Sequence, residues 1–358
     1  MPTVVRLPVR SQAQTVSERQ AALTACFALH RRADGDVFWL KENAELLNVL
    51  ETTGAALDHD ALAAYRPFYD QIEKRLEFFP QYYRFLLSLC LDLEDLGMEG
   101  GKGEALVNWI ASEGMAEAEL SDLQRSEARR LMMRRGRDPL PADLGLDDRM
   151  RTFAARSATF AMPNRKAAYE LTHIVFYLSE YGRRDPALAE GTEDSLDFAG
   201  TLAFLEQDAD LLAEVCIAMR FAGLTPPEIW EDWLTRETFR FTVETGRSSA
   251  AADNYHEFLI CNWLMAVAGR DAFAKRFASG RMRFLRGRER SGVLRELSEQ
   301  MFGLDQRRSG DWRRMRPVVE ARLADTSRAL LAQAEAASRS FEHFFARFAR
   351  VGLREARP

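Results

Sequence analysis

Two short stretches carry residues able to do chemistry. In YELTHIVFYLSEYGR, Tyr169 to Arg183, residues Tyr169, His173 and Glu180 fall at i, i+4 and i+11. That spacing puts them on one face of a helix otherwise built from Ile, Val, Phe and Leu. In AADNYHEFLICNWL, Asp253 and His256 stand three apart at the start of another apolar run. Burying polar groups without partners is costly, so their place on such helices needs a reason. Imidazole and carboxylate suit zinc, iron or manganese, and a catalytic zinc takes three protein ligands and keeps one position open. His173, His256 and Asp253 are therefore candidate metal ligands, with a divalent ion such as zinc as the candidate cofactor. Glu180, Glu257 and Tyr177, beside them, are candidate catalytic residues for acid–base work. The plain alternative is a pair of core histidines satisfied by adjacent tyrosines or carboxylates.

The elements that must position these residues read as helices. In RFLLSLCLDLEDLG, Phe85, Leu86, Leu89, Leu93 and Leu96 share one face. Apolar helix followed by glycine recurs at Gly54, Gly97, Gly136, Gly182, Gly223 and Gly269, spaced 43, 39, 46, 41 and 46 residues apart. Gly303 or Gly310 could close a further unit. A period of roughly 40–47 residues is that of a two-helix unit in stacked repeats. More polar segments lie between, such as TPPEIWEDWLTRETFRF, where Thr225 is the expected N-cap and Pro226 the first helical residue. Strand signals are nearly missing. The expectation is an all-α protein, more than about 55% helical. About six antiparallel helix pairs would form an α/α toroid or a curved solenoid. Residues 1–20 read as an N-terminal extension, 21–315 as the helical-repeat domain and 316–358 as a C-terminal helix, a cap or dimer element without glycine from Val319 to Arg350. A toroid's inner helices would bring His173 and His256 towards one another across a central cavity.

The segment Asp253-Asn254-Tyr255-His256 resembles the Asp-x-Tyr-His segment of the protein prenyltransferase β subunit, an α/α toroid. That resemblance implies a zinc-ligand role for His256 alone, since the family's Asp-x-Cys pair does not occur here and its Thr after the histidine is Glu257. The helix Thr172-His173 to Gly182 also resembles uncharacterised bacterial all-helical families that carry a Thr-His-x-x-x-x-x-Ser-Glu/Asp-x-Gly pattern.

Composition narrows the partners. The 358 residues carry a net charge of −5, with only five lysines among 49 basic residues. Nothing in that balance asks for nucleic acid as the main partner. The exception is Lys275 to Arg314, with twelve basic and five acidic residues. There Arg281, Arg283, Arg286 and Arg288, interleaved with Phe284, are candidate anion-binding residues, or else a solvated face paired with carboxylates. No run reaches the length of a membrane span, and no secretory signal is visible, so a cytoplasmic location is expected. Four scattered cysteines read as reduced thiols; Cys90 and Cys216, at one repeat phase, read as packing residues. The glycine-bearing stretch Gly97–Trp109 reads as a flexible loop able to gate a pocket. The functional expectation is an enzyme acting on a small, partly apolar substrate, a small molecule or peptide, through a His/carboxylate cluster. A non-catalytic helical-repeat binding or scaffold protein and an anion or nucleic-acid binder through the 275–314 arginines are the alternatives, and a homodimer is a candidate assembly.

Overall fold

A computed structural model describes residues 14–246, 253–287 and 292–351. Helix α1 (Val16–Ala25) and α2 (Val37–Thr52) are followed by three short helices, α3 (His59–Ala63), α4 (Arg66–Asp70) and α5 (Ile72–Phe78). Next come α6 (Tyr83–Asp95), α7 (Lys102–Ser112), α8 (Asp122–Met133), α9 (Leu146–Ala154) and α10 (Ser157–Phe160). Then α11 (Arg165–Leu178), α12 (Thr192–Glu206), α13 (Ala209–Phe221), α14 (Glu228–Arg240) and α15 (Tyr255–Val267) carry the most apolar sequence. The chain ends in α16 (Leu294–Leu304), α17 (Trp312–Glu320), α18 (Asp325–Ala337) and α19 (Phe341–Phe348). Helix makes up 65% of the structure. Strand among the described residues is one antiparallel pair, β1 (Thr242–Thr245) with β2 (Met282–Leu285), in the register Thr242 opposite Leu285.

The six helices expected to end in glycine are α2, α6, α8, α11, α13 and α15. Each packs on the next in that order, and α15 packs on α2. The intervening helices pack against them: α7 on α6, α9 on α8 and α11, α12 on α13, and α14 on α13 and α15. Helix α12 is buried along almost its whole length, because α10, α16 and α18 cover the side that α13 does not.

All six glycines have positive φ. At five of them the residue after the glycine donates to the carbonyl five positions back, as in Met98 to Leu93 and Arg270 to Met265, closing the last turn. Helix α11 differs. Its closing bond runs from Tyr181 to Phe176, so Glu180 rather than Gly182 takes the left-handed cap position, at φ +49°. Gly182 has its own reason: a Cβ there would meet the Phe221 ring at 2.5 Å.

Four local expectations need correction. Helix α14 starts at Glu228, with no side-chain cap, two residues later than the Thr225 reading. Pro227 pushes Pro226 out of helical conformation, so the helix cannot begin there. Gly303 lies inside α16 and closes no unit, and neither Gly303 nor Gly310 has positive φ. The single long C-terminal helix is three helices. The break before α19 is held by Asp197 of α12, which accepts from the Ser338 hydroxyl at 2.6 Å and the Arg339 N–H at 3.2 Å. Finally, the loop before α7 is pinned. Glu94 accepts the Gly103 N–H at 2.8 Å and the Tyr69 hydroxyl at 2.6 Å, and Tyr69 occupies the space a Cβ of Gly100 would need.

Candidate functional site

The site is built on α13. Asp210 and Glu214 are one helical turn apart on the same face, and each meets a histidine from a neighbouring helix. His256, second residue of α15, brings Nδ1 to 2.8 Å from Asp210 Oδ1. The other Asp210 oxygen accepts the Tyr169 hydroxyl at 2.7 Å. His173 of α11 brings Nδ1 to 3.7 Å from Glu214 Oε2, while Thr172 donates to that same oxygen at 2.6 Å. From α2, which packs on α15, Glu45 places Oε1 3.8 Å from His256 Nε2.

Charge in the cluster follows from these contacts. Burial works against the charged form of His256, but Asp210's hydrogen bond and charge, with Glu45 and Glu214, push its pKa up to about 9. Burial likewise opposes the Asp210 carboxylate. His256's hydrogen bond and charge, the Tyr169 hydroxyl and Arg165 outweigh it and hold Asp210 below the usual range. Glu214 is raised by burial, which the charge of His173 offsets only in part and the neighbouring Asp210 reinforces. Burial also raises Glu45, against His256, Lys41 and the Tyr255 hydroxyl. The result is an Asp210⁻/His256⁺ pair beside two carboxyls, Glu214 and Glu45, whose pKa values burial raises.

The two imidazoles differ in the nitrogen they leave free. His173 Nδ1 lies 2.8 Å from the Tyr169 carbonyl, which only accepts, so Nδ1 carries the proton and a neutral His173 has its lone pair on Nε2. His256 is held by Nδ1 and presents Nε2–H. Both side chains are about one-third exposed, at 36% and 32%. Tyr177 sets its ring edge against His173, with centroids 5.9 Å apart, and is itself buried.

Other expected members of the site are elsewhere. Asp253 gives both oxygens to Arg31, at 2.8 and 2.9 Å, and accepts the Phe284 N–H at 3.0 Å. Glu180 sits beyond the end of α11, 3.1 Å from Arg130 Nε. Glu257, next to His256, is turned about 100° round the helix and pairs with Arg286 at 2.8 Å. Burial raises Glu257 to about 7 despite Arg286, with Asp210, Asp208 and Glu237 adding to the effect. With Asp253 and Glu180 committed to arginines, the expected ligand set does not assemble. No group of three or more His, Cys, Asp or Glu among the described residues is arranged to hold a metal ion. The zinc expectation is corrected accordingly.

The anion-binding expectation also changes. Arg286 lies between Glu237, at 3.1 Å, and Glu257. Arg283 stands opposite Glu244 in the β1–β2 register. Phe284, interleaved with these arginines, is fully buried against Phe258 with ring centroids 4.5 Å apart. Arg281 is half-buried, and Arg288 lies outside the described residues. The cysteines are free and buried; burial pushes Cys26 up to about 11 and raises Cys90, Cys216 and Cys261 as well.

Sequence reasoning missed Asp210, Glu214 and Glu45. A signal existed for Glu214, which interrupts the apolar run LLAEVCIAM as His173 interrupts its own. Nothing local marked Asp210 or Glu45, both of which read as ordinary helix-surface acids.

No curated protein matches the chain, and no solved structure does. The prenyltransferase resemblance rests on four residues, of which Asp253 is bound to Arg31 and His256 to Asp210. What does match is a family described as a domain of unknown function, DUF6902, over residues 1–351, and the chain belongs to that family.

Proposed function

We propose that the His173/His256 cluster is an acid–base site for a small, partly apolar molecule. The observation that supports this reading is the different way the two imidazoles are held at Nδ1, His256 by the Asp210 carboxylate and His173 by the Tyr169 carbonyl. His256, charged through Asp210, offers Nε2–H as the acid. His173, its Nδ1 proton held by a backbone carbonyl, offers the Nε2 lone pair as the base. In such a step His173 takes a proton from one substrate atom and His256 delivers one to another, so the substrate's charge is unchanged. Tyr177, and Phe176 with its centroid 5.6 Å from His173, supply an apolar wall beside the base. Glu45 faces the acid and can reload it after turnover.

Part of this reading is that α2, α6, α8, α11, α13 and α15 form a closed α/α toroid with the cluster on its inner side. The packing of α15 on α2, and the clasp of Arg31 with Asp253 and Glu42 between first and last units, support closure. A cytoplasmic location fits the four free thiols.

The test is a thermal-shift screen of the full chain against small metabolites, repeated on His173→Ala and His256→Ala. Compounds that stabilise the wild type should lose that effect in both variants while circular dichroism stays unchanged. If every stabilising compound acts equally on the variants, the histidines form a structural ion-pair cluster and the proposal fails.

A further inference from the structure

A cavity of about 140 Å³ opens between α10, α11, α12, α13 and α16, and neither His173 nor His256 lines it. Its floor is apolar: Ala168, Ala199, Leu202, Leu211 and Leu294. An apolar cavity of about 150 Å³ takes a molecule the size of benzene, so this one suits a single branched or aromatic side chain.

The mouth is polar and its charges are of two kinds. Asn164 uses its oxygen to accept the Ala167 N–H at 3.2 Å, which leaves the amide NH₂ to donate outward. Arg165 is held on Nη2 by Asp208 at 2.8 Å and by the Tyr169 hydroxyl at 3.3 Å. Its remaining N–H groups have no hydrogen-bond partner among the described residues, the charge of Glu206 lies within reach of the guanidinium, and the side chain is 57% exposed. Glu206 is exposed on the same mouth and has no ion-pair or hydrogen-bond partner among the described residues. A lone carboxylate ligand would meet Arg165 already neutralised by Asp208, with Glu206 repelling it. A lone ammonium would find Glu206 but leave the Asn164 and Arg165 donors unused. A group with both charges satisfies all three.

We infer that this cavity binds a free α-amino acid with an apolar side chain. The ammonium pairs with Glu206, the carboxylate takes the Asn164 amide and the outer N–H groups of Arg165, and the side chain fills the apolar floor. The site is separate from the acid–base cluster, although Arg165 reaches that cluster through Tyr169 and Asp210.

The experiment is calorimetric titration of the full chain with L-leucine, alongside 4-methylpentanoate and 3-methylbutylamine, which each lack one charge. Leucine should bind saturably with a dissociation constant of about 1 mM or below, within reach of a ligand of this size. The single-charge analogues should bind at least about tenfold more weakly, since each leaves part of the mouth unpaired. Glu206→Gln, an exposed change that spares the fold, should weaken leucine by a similar factor, and His256→Ala should leave it unaltered. Leucine that fails to saturate, or 4-methylpentanoate that binds as well as leucine, overturns the inference. Loss of leucine binding in His256→Ala would move the ligand to the other site and overturn it too.

Discussion

His256 stays charged in a largely buried position because Asp210, Glu45 and Glu214 all face it. This gives the molecule a pH dependence whose sign can be worked out. The pKa of His256 rises from 6.5 unfolded to about 9 folded, so its stabilising contribution is complete below about pH 6.5 and is lost as pH climbs through 9. A shift of that size in a fully buried group would be worth about 3 kcal/mol, and screening at a one-third-exposed ring reduces it to about 1–2 kcal/mol. Urea unfolding of wild type and His256→Gln should therefore differ by that amount at pH 6 and converge near pH 10. A gap that persists undiminished at pH 10 would show that packing, not charge, is what His256 contributes. At this scale the sequence exposed the two histidines, as polar residues within apolar runs. It did not expose their carboxylate partners, because Asp210 and Glu45 are unremarkable until α13 and α2 are packed against α15.

At the scale of elements, the glycine-capped helix is the repeating device. Replacing Gly269 by Ala forces a side chain into φ +68° and should cost about 1–2 kcal/mol, although the added Cβ would meet nothing. Gly303 is the opposite case: it lies within α16 with open space around its Cβ, so Gly303→Ala should stabilise by about 0.5–1 kcal/mol. Thermal melts of the two variants should move in opposite directions. Equal shifts would mean that cap geometry contributes little. The glycines were legible because a helix end needs a left-handed residue locally, within five residues of sequence. The early end of α11, with Glu180 in the cap, was not legible, since Phe221 from another helix decides where Gly182 must lie.

For the whole molecule, the contact between first and last units is the feature to test. Arg31, 6% exposed at its side chain, bonds Glu42 at 2.7 Å, Asp253 at 2.8 Å and the Met282 carbonyl at 3.0 Å. It lies over the rings of Phe27, Tyr255 and Phe284. Removing Arg31 takes the ion-pair partner from the buried Asp253 carboxylate, while Glu42 keeps Arg32 at 2.8 Å, and breaking a buried pair in this way costs about 3–5 kcal/mol. Arg31→Met should lower the urea midpoint accordingly. Hydrogen exchange should then show α2 and α15 losing protection together, with α18 less affected. A variant as stable as wild type would remove the clasp as a closing element.

The helical class, the five helices that end in a glycine cap and the two unusual histidines were determined by the sequence itself. Each depends on interactions within one or two turns: amphipathic period, left-handed caps, and the cost of a polar side chain in an apolar run. The pairing of carboxylates was decided only by tertiary structure. Asp253 and Glu180 read as partners of the histidines by spacing along their own helices, yet Arg31 lies 222 residues from Asp253 and Arg130 approaches Glu180 from α8. A buried charge takes whichever opposite charge the packing of helices brings to it, and no spacing along one helix carries that information.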